Sequence, residues 1–324
     1  MRIVHDLAQA RLSPPLKGGA GGYVTIGVFD GVHRGHRQLI AGMVEAAHST
    51  HNVAIVLTFD PHPATTLGYE PPPLLTTVEQ RAELLAVLGL DILLVLPFTP
   101  AIARTPATGF IETLMRDLHL TKLWGGPDFA IGYRREGDTS FLQRLGAERG
   151  FTVRIVEPLV WEGALVSSSR VRTALQAGDI SQATGCLGRP YRLAGLVVHG
   201  RGLGRSIGVP TANLSLPPER LVPAGGVYAC LAHTEHLGTH PAVTNVGVRP
   251  TFGGTSGGQM LVVEAHLLDF DADIYDQVLA LDFVARLRGE RAFPTVNMLV
   301  AQIHNDITQA RIILGENVKP PTLP

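Results

Sequence analysis

Residues 24–40 constrain the fold of this chain most strongly, because three kinds of pattern follow one another there. A β-branched apolar run at 24–28 predicts a buried strand, and Asp30-Gly31 predicts a turn. The amphipathic pattern that follows, with Leu39 and Ile40 on one face, predicts a helix. The first turn of such a helix presents unpaired backbone N–H groups and the positive end of the helix dipole. The stretch therefore predicts a strand–turn–helix unit with a phosphate site at the turn.

Two histidines, His33 and His36, lie at the predicted helix start on either side of Gly35. Residues three apart project from one face of a helix, and glycine leaves room for phosphates to approach the backbone. This arrangement suits nucleotide chemistry. Histidines near a helix start are also common as surface residues or caps, and a catalytic assignment needs partner groups from elsewhere in the chain.

The composition bounds the class of protein. A length of 324 residues favours two domains. A formal net charge of −1 argues against a broad nucleic-acid footprint, so we expect small-molecule partners. Cys186 and Cys230 show no disulfide or metal-ligand spacing, which is typical of a reducing compartment. Residues 84–98 are the most apolar region, and Gly89 and Asp91 interrupt them, so they do not span a bilayer. We expect a soluble cytoplasmic protein with no nucleic-acid or membrane partner.

Strand and helix patterns alternate through the first half. Apolar runs at 53–59, 91–98, 122–124 and 152–156 predict strands, and the segments at 109–118 and 139–148 predict helices. Thr76 and Glu79 form a capping-box pattern for a further helix that ends at Gly89. Alternation of this kind predicts a doubly wound, Rossmann-like parallel sheet with helices on both faces.

Two later stretches offer further ligand sites to this sheet. Pro61 and Pro63 follow the run 53–59 and predict a rigid loop at a strand's carboxyl end, where open α/β sheets bind ligands. Three consecutive serines, residues 167–169, precede Arg170 and Arg172 at another helix start. The serines serve either as ordinary N-caps or, with the arginines, as a second anion site.

The pattern changes near residue 188. Short β-rich segments follow at 193–198, 226–232, 242–246, 260–268 and 278–285, separated by glycine and proline. They predict a small antiparallel β-barrel, and the amphipathic segment 295–314 predicts a C-terminal helix. We therefore predict an α/β domain over residues 1–187 and a barrel domain over residues 188–324.

The second half carries candidate site residues of its own. The glycine-rich loop 199–205 is weak evidence alone, and residues 245–252 predict a loop rich in polar donors. Oxygens of Thr211 and Asn213 can coordinate Mg²⁺ beside a nucleotide phosphate, or can simply form a hydrogen-bonded turn. Glu264, within an apolar run, either points outward from a half-exposed strand or acts as a base.

The chain as a whole resembles the prokaryotic bifunctional riboflavin kinase/FMN adenylyltransferases, also called bifunctional FAD synthetases. In the first half the resemblance rests on residues 26–36, 58–63, 128–129 and 167–172. In the second half it rests on residues 208–214, 226–228, 245–252, 264 and 287–293.

The resemblance implies two ATP-dependent steps. In the C-terminal domain Glu264 would act as general base on the ribityl hydroxyl of riboflavin, with Mg²⁺ held by Thr211 and Asn213, to give FMN. In the N-terminal domain the FMN phosphate would attack a second ATP, to give FAD and pyrophosphate. His33 and His36 would donate hydrogen bonds to the reacting phosphates.

The resemblance also assigns binding residues. For ATP and its phosphates they are Gly27, Phe29, Asp30, Gly31, Gly35, Ser168, Ser169, Arg172, Gly204, Thr211 and Asn213. For the flavin they are Phe59, Pro61, Pro63, Asp128, Phe129 and Arg288. Several positions depart from the family pattern: Ala130 and Ile131 replace arginine and phenylalanine, Val209 replaces phenylalanine, and Asp276 replaces glycine.

Two other functions compete with this hypothesis. One is a single-function adenylyl- or cytidylyltransferase with a degenerate second domain. The other is a non-catalytic flavin-binding or regulatory protein. The presence of Thr211, Asn213 and Glu264 argues against the first, and that of His33, His36 and Glu264 argues against the second. The sequence leaves the oligomeric state open.

Overall fold

The structure is a computed structural model that describes residues 1–12, 21–200, 204, 207–250 and 259–315. Its contacts divide the chain into two compact units, Met1–Ser168 and Ser169–Pro324. The division falls earlier than residue 188 because the helices just before that point bond to the second unit. The Arg286 guanidinium donates to the carbonyl of Ala177, and the Ala224 N–H donates to that of Leu175.

The first unit is built on a parallel six-stranded sheet. The strand order is β1-β4-β3-β2-β5-β6, with each neighbouring pair parallel. The strands are β1 (Arg2–Val4), β2 (Gly22–Ile26), β3 (Val53–Phe59), β4 (Ile92–Leu96), β5 (Leu120–Gly125) and β6 (Thr152–Ile155). A short hairpin, β7 (Val160–Trp161) with β8 (Ala164–Leu165), follows the sheet.

Helices cover both faces of this sheet, as predicted. They are α1 (Leu7–Ala10), α2 (Arg34–Ser49), α3 (Pro63–Thr66), α4 (Val78–Ala86), α5 (Pro100–Ala103), α6 (Ala107–Leu118) and α7 (Thr139–Arg149). Successive residues of β3 point to opposite faces. Ile55 accordingly lies in a core cluster with Leu114 of α6, whereas Val56 lies in another with Met43 of α2. The long apolar runs of the sequence therefore reflect burial on both faces.

The predicted position of the capping box before α4 was wrong by one residue. Thr77 caps the helix and Gln80, rather than Glu79, completes the box, while the helix ends at Ala86 instead of continuing to Gly89. The Thr76 hydroxyl is used elsewhere, because it bonds to the carboxylate of Asp30. The pattern of two adjacent threonines alone does not decide which one is the cap.

The second unit is a closed antiparallel barrel with helices. The strand order around the barrel is β10-β13-β12-β11-β14-β9. The elements are α8 (Ser168–Ala177), α9 (Ile180–Leu187), β9 (Tyr191–Val198), β10 (Ala212–Ser215), β11 (Gly226–Thr234), β12 (Gly238–Pro250), β13 (Gln259–Leu267), β14 (Val278–Arg288) and α10 (Val296–Gly315). Helix α8 begins at the last residue of the first unit.

Alternate residues of β11 face the barrel interior and the C-terminal helix. Tyr228 packs edge-on against Phe283 of β14, with ring centroids 5.2 Å apart. Val227 instead clusters with Ala310 and Leu314 of α10. The helix therefore covers one outer side of the barrel, as its amphipathic pattern predicts.

The prediction of a loop at residues 245–252 was wrong for residues 245–250, which continue strand β12. Residues 251–252 lie outside the described residues, as does most of the glycine-rich loop 199–205. Within the part of the chain that the structure describes, no helix combines the length and the apolar character needed to cross a membrane.

Candidate active sites

The two histidines lie at the start of α2, after the turn that follows the carboxyl end of β2. His33 is the N-cap of α2, and its Nδ1 accepts a hydrogen bond of 3.2 Å from the backbone N–H of His36. The two imidazole rings stack with centroids 3.5 Å apart, and Phe29 meets His36 edge-on at 5.2 Å. Because Nδ1 of His33 is an acceptor, a neutral His33 carries its proton on Nε2. The structure thus brings these predicted residues together and fixes the tautomer of one.

Burial keeps His36 uncharged. Desolvation lowers the pKa of His36 well below 6.5, and the neighbouring His33 and Arg81 lower it further. Nδ1 of His36 is buried and makes no hydrogen bond within the described residues. A buried hydrogen-bonding atom that the chain does not satisfy is expected where a ligand supplies the partner.

Asp30 anchors the turn between β2 and α2. Its buried carboxylate accepts the backbone N–H groups of Leu75 and Thr76 and the Thr76 hydroxyl, at 2.9–3.0 Å. The same hydroxyl accepts the N–H of Gly31. The Ser168 hydroxyl donates to the Asp30 carbonyl at 2.8 Å. Asp30 and Ser168 therefore hold the turn in place in this structure, and their predicted contacts with phosphate remain predictions.

Two glycines of the predicted phosphate loop are needed for close packing. A Cβ on Gly35 would lie 3.3 Å from two ring atoms of His33, and one on Gly27 would lie 3.0 Å from the Phe29 ring. Gly31 has a φ of 80°, in the region that glycine adopts without strain. These glycines let the aromatic rings lie against the backbone.

The predicted flavin residues follow strands on either side of β2. Phe59 ends β3 and meets Phe98 edge-on at 5.0 Å, and Pro61 and Pro63 lie just beyond it. Asp128 and Phe129 follow β5. Because β3, β2 and β5 are parallel neighbours, these residues and the histidines lie along one edge of the sheet.

The loop after β5 departs from the family pattern in a way that the packing explains. Phe129 lies against Gly125, whose missing side chain leaves the space for the ring. Ile131 is buried in the core and pairs its backbone with Gly137. Ala130 is half-buried. Phe129 thus remains as an aromatic side chain at this edge of the sheet, while Ile131 serves the core.

Ser169 and Arg172 belong to the second unit, as the second and fifth residues of α8. Ser169 is exposed and Arg172 half-buried. Their predicted role in holding the phosphates remains a prediction.

The second unit contains a cavity of about 670 Å³ between the barrel and α10. All the site residues predicted in this half of the chain line this cavity. These are Gly204, Thr211, Asn213, Glu264 and Arg288. Val209, which departs from the family pattern, lines the same cavity.

Glu264 lies at the centre of a row of polar residues on three adjacent strands. It pairs directly with Asn213 of β10 on one side and with Asn245 of β12 on the other. All three line the cavity. Asn245 was not among the predicted binding residues. We expected residues 245–252 to form a loop, and a loop has no strand register from which the pairing of Asn245 with Glu264 could be predicted.

The residues that line the cavity fall into two chemically different groups. His199 and Tyr275 stack at 3.9 Å and line it together with the Gly204–Thr211 side. A Cβ on Gly204 would clash with the Val209 carbonyl oxygen and lie 3.2 Å from the Thr211 hydroxyl oxygen, so the position has no room for a side chain. Asp276, where the family has glycine, adopts a φ of 58°, which aspartate tolerates better than most residues.

Guanidinium, aromatic and aliphatic groups form the second group of lining residues. Arg288 and Arg291 lie over the ring of Phe293, with Leu299 and Ile303 of α10 beside them. Such a lining suits a large aromatic ligand, whereas the glycine and hydroxyl groups of the first group suit phosphates.

The donor set is compatible with a metal ion carried by a nucleotide rather than with a resident metal centre. No group of three or more histidine, cysteine or carboxylate side chains in the described part of the chain is arranged to hold a metal ion. Mg²⁺ usually keeps water ligands and binds through one or two protein oxygens and the substrate phosphates. Thr211 and Asn213 offer such oxygens.

Two stacked histidines at the carboxyl edge of a parallel sheet, followed by an antiparallel barrel with a cavity, are typical of a two-domain nucleotide-dependent transferase. Comparison with known proteins agrees with this class. The FAD synthetase family model matches residues 18–170, and the riboflavin kinase family model matches residues 187–314.

Relatives match along both halves of the chain. The bifunctional riboflavin kinase/FMN adenylyltransferase of Pseudomonas fluorescens is 38% identical over 290 residues, 89% of this chain and 92% of that protein. The protein of the same name from Escherichia coli K12 is 37% identical over 97% of each chain. The chain belongs to the family of bifunctional riboflavin kinase/FMN adenylyltransferases.

A solved structure also matches both units. It is described as a macrolide-efflux protein from Streptococcus pneumoniae, with a TM-score of 0.85 and 28% identity over 95% of this chain and 98% of that one. The match supports the fold.

Proposed function

We propose that this chain converts riboflavin to FMN in its C-terminal domain and FMN to FAD in its N-terminal domain, with ATP as co-substrate in both. The cross-strand row of Asn213, Glu264 and Asn245 in the cavity carries the proposal for the kinase step. The stacked His33 and His36 at the start of α2 support the adenylyl transfer. We keep the predicted domain bounds of 1–187 and 188–324 as part of this proposal.

In the kinase step Glu264 takes the proton of the ribityl 5′-hydroxyl while that oxygen attacks the γ-phosphorus of ATP. The bond between the γ-phosphorus and the β,γ-bridging oxygen breaks, and ADP leaves. The barrel register keeps this carboxylate between two carboxamides on the cavity wall, which favours a fixed position of the base.

Thr211 and Asn213 supply oxygens for Mg²⁺ on the ATP phosphates in this proposal. When bound, the ion neutralises charge on the transferred phosphoryl group. The two residues orient the phosphates toward Glu264, because Asn213 is its direct strand neighbour.

In the adenylyl-transfer step an FMN phosphate oxygen attacks the α-phosphorus of ATP, and pyrophosphate leaves with the bridging oxygen. The nucleophile is already an anion, so no base is required, and stabilisation of the moving charge dominates. Nε2–H of His33 and the neutral ring of His36 serve as hydrogen-bond donors to the phosphates. Gly27, Phe29, Gly31 and Gly35 shape the loop.

The flavin contacts of this step come from the neighbouring strand ends. Phe59, Pro61 and Pro63 on one side and Asp128 and Phe129 on the other form the pocket walls in our proposal. Ser169 and Arg172 hold the phosphates. We further propose a cytoplasmic location, since Cys186 and Cys230 are buried and carry no disulfide.

One experiment tests both activities. The purified chain is incubated with riboflavin, ATP and Mg²⁺, and the flavins are separated by chromatography. Our proposal predicts FMN followed by FAD. Unchanged riboflavin would contradict the kinase assignment, and FMN without FAD would contradict the adenylyl-transfer assignment.

A further inference from the structure

Asp306 of α10 is a buried carboxylate on the cavity wall, with 2% of its side chain exposed. It accepts two-pronged hydrogen bonds from Arg288 at the end of β14: Nε donates to Oδ1 at 3.1 Å, and Nη2 donates to Oδ2 at 2.8 Å. An arginine–carboxylate fork of this kind fixes the plane of the guanidinium as well as its position. Asp306 therefore holds Arg288 in one orientation.

A second arginine is held through Gln302, one turn earlier on the helix. The amide nitrogen of Gln302 donates to Asp306 at 2.7 Å, and its amide oxygen accepts a hydrogen bond from Arg291. Asp306 thus holds Arg288 by direct hydrogen bonds and Arg291 indirectly, through Gln302.

The two anchored arginines meet at one aromatic ring. The guanidinium carbon of Arg291 lies 4.7 Å from the centre of the Phe293 ring, and that of Arg288 lies 5.6 Å from it. Both distances are within the range of a cation–π contact. The two arginines and Phe293 therefore form one continuous wall of the cavity, and Asp306 and Gln302 hold the arginines in place.

We propose that Asp306 is a positioning residue for the flavin substrate, and that it prepares the Arg288–Phe293–Arg291 wall before riboflavin binds. The inference rests on the riboflavin kinase function proposed above. Fixing a long arginine side chain costs conformational entropy. Because both arginines are already ordered in the free protein, riboflavin binding does not have to supply that free energy.

A gain in folding stability alone does not explain why the carboxylate of Asp306 is buried in an ion pair. Replacing a buried ion pair by apolar residues is often neutral or stabilising, because desolvation opposes the Coulomb attraction. Arg311 and Asp269 already tie the other end of α10 to the barrel by a similar two-pronged pair at 2.7 and 2.8 Å, at an exposed site. The distinctive property of the Asp306 pair is its place on the cavity wall.

The test compares Asp306→Asn with the matched control Asp269→Asn. Both changes remove the charge of a carboxylate whose ion pair with an arginine joins α10 to the barrel, but only Asp306 lines the cavity. We expect Asp306→Asn to raise KM for riboflavin about tenfold, equivalent to one charge-assisted hydrogen bond. KM for ATP and kcat should stay within about twofold, as should every kinase parameter of Asp269→Asn.

A second variant keeps the test valid if Asp306→Asn does not fold. Gln302→Leu leaves the Arg288–Asp306 fork in place and removes only the relay to Arg291. We expect a smaller rise in KM for riboflavin, about threefold, with KM for ATP unchanged. Circular dichroism and the melting temperature of each variant report whether the barrel is intact, and conversion of supplied FMN to FAD by the same samples reports on the first unit.

The outcomes separate the possible roles. An unchanged KM for riboflavin in a folded Asp306→Asn protein would overturn the inference. A fall in kcat with a lower melting temperature and an unchanged KM would assign Asp306 a purely structural role, and a rise in KM for ATP alone would assign the Arg288–Phe293–Arg291 wall to the nucleotide instead of the flavin. Failure of the proposed function itself appears separately, as wild-type protein that leaves riboflavin unphosphorylated.

Discussion

Asn213 of β10 and Glu264 of β13 are direct cross-strand neighbours in the barrel. This register places a carboxylate next to a carboxamide on the wall of the cavity, with Asn245 on the other side. The kinase half of the proposed function depends on that arrangement.

Glu264→Gln should reduce riboflavin phosphorylation by about 10²–10⁴-fold, the usual contribution of a general base. Glutamine keeps the size of the side chain and its hydrogen bonding but cannot take the hydroxyl proton. The measurement is the rate of FMN formation from riboflavin, with adenylylation of supplied FMN as the control on the same sample. Normal kinase activity in this variant would exclude Glu264 as the base.

Thr211→Val should raise the Mg²⁺ concentration that gives half-maximal riboflavin phosphorylation by about tenfold, because one oxygen ligand is lost. Valine keeps the branched shape of threonine. The Mg²⁺ dependence of FMN adenylylation in the same protein should not change. Thr308→Val on α10, which removes a hydroxyl bonded only within its helix, is the control. An unchanged Mg²⁺ requirement for Thr211→Val would refute its role as a ligand.

His36→Ala should lower FAD formation by about 10²–10³-fold, which is typical for loss of one group that stabilises transition-state charge. FMN should still accumulate from riboflavin. His48→Ala on the same helix, where His48 makes an exposed bond to Asp91, should leave both activities near normal. Loss of both activities in a folded His36→Ala protein would show that the two sites are not separate.

Gly35→Ala tests whether the backbone must leave room for His33. The new Cβ would lie 3.3 Å from the His33 ring and displace it by a few tenths of an ångström. We expect FMN adenylylation to fall by about tenfold, since small misplacements of catalytic groups are costly. Gly42→Ala on the same helix meets only Trp124, at 3.7 Å, and should stabilise the protein by up to about 1 kcal/mol without loss of activity. Equal activities for the two variants would contradict this role of Gly35.

The low pKa of His36 predicts a pH-dependent stability. In the unfolded chain a histidine has a pKa of 6.5, whereas burial and the neighbouring His33 and Arg81 lower the pKa of His36 in the folded state. The unfolded state therefore binds more protons below pH 6.5, so the stabilisation is complete above that pH and is lost as the pH falls toward the folded pKa.

Urea unfolding of wild type and His36→Gln at several pH values between about 5.5 and 7.5 measures this effect. Both tryptophans of the chain, Trp124 and Trp161, lie in the first unit, so their fluorescence follows that unit alone. His36→Gln should lose less stability on acidification than wild type. Parallel pH profiles would contradict the lowered pKa.

Much of the fold follows from local patterns in the sequence. The run 53–59 is buried on both faces, and its length matches β3 residue for residue. The final amphipathic segment differs from α10 by one residue at each end. Such patterns succeed because one face of each element must meet the core, which dictates the spacing of its apolar residues.

Relationships between distant segments were not predictable in the same way. His33 and His36 are three residues apart, so a helix alone brings them together, whereas Glu264 and Asn245 meet only through the barrel register. Asp30 bonds to the loop at Leu75, and Asp306 grips Arg288, through contacts that no local pattern encodes. The sequence therefore indicated the residue types of each site but not the partners that fix them.

The most direct test of two independent sites on one chain is complementation between variants. Glu264→Gln and His36→Ala are mixed in equal amounts with riboflavin, ATP and Mg²⁺, and FAD is followed by chromatography. Each variant alone should give little FAD, whereas the mixture should form it, because His36→Ala makes FMN and Glu264→Gln adenylylates it. A mixture that accumulates no FAD, although each variant keeps its remaining single activity, would contradict the account.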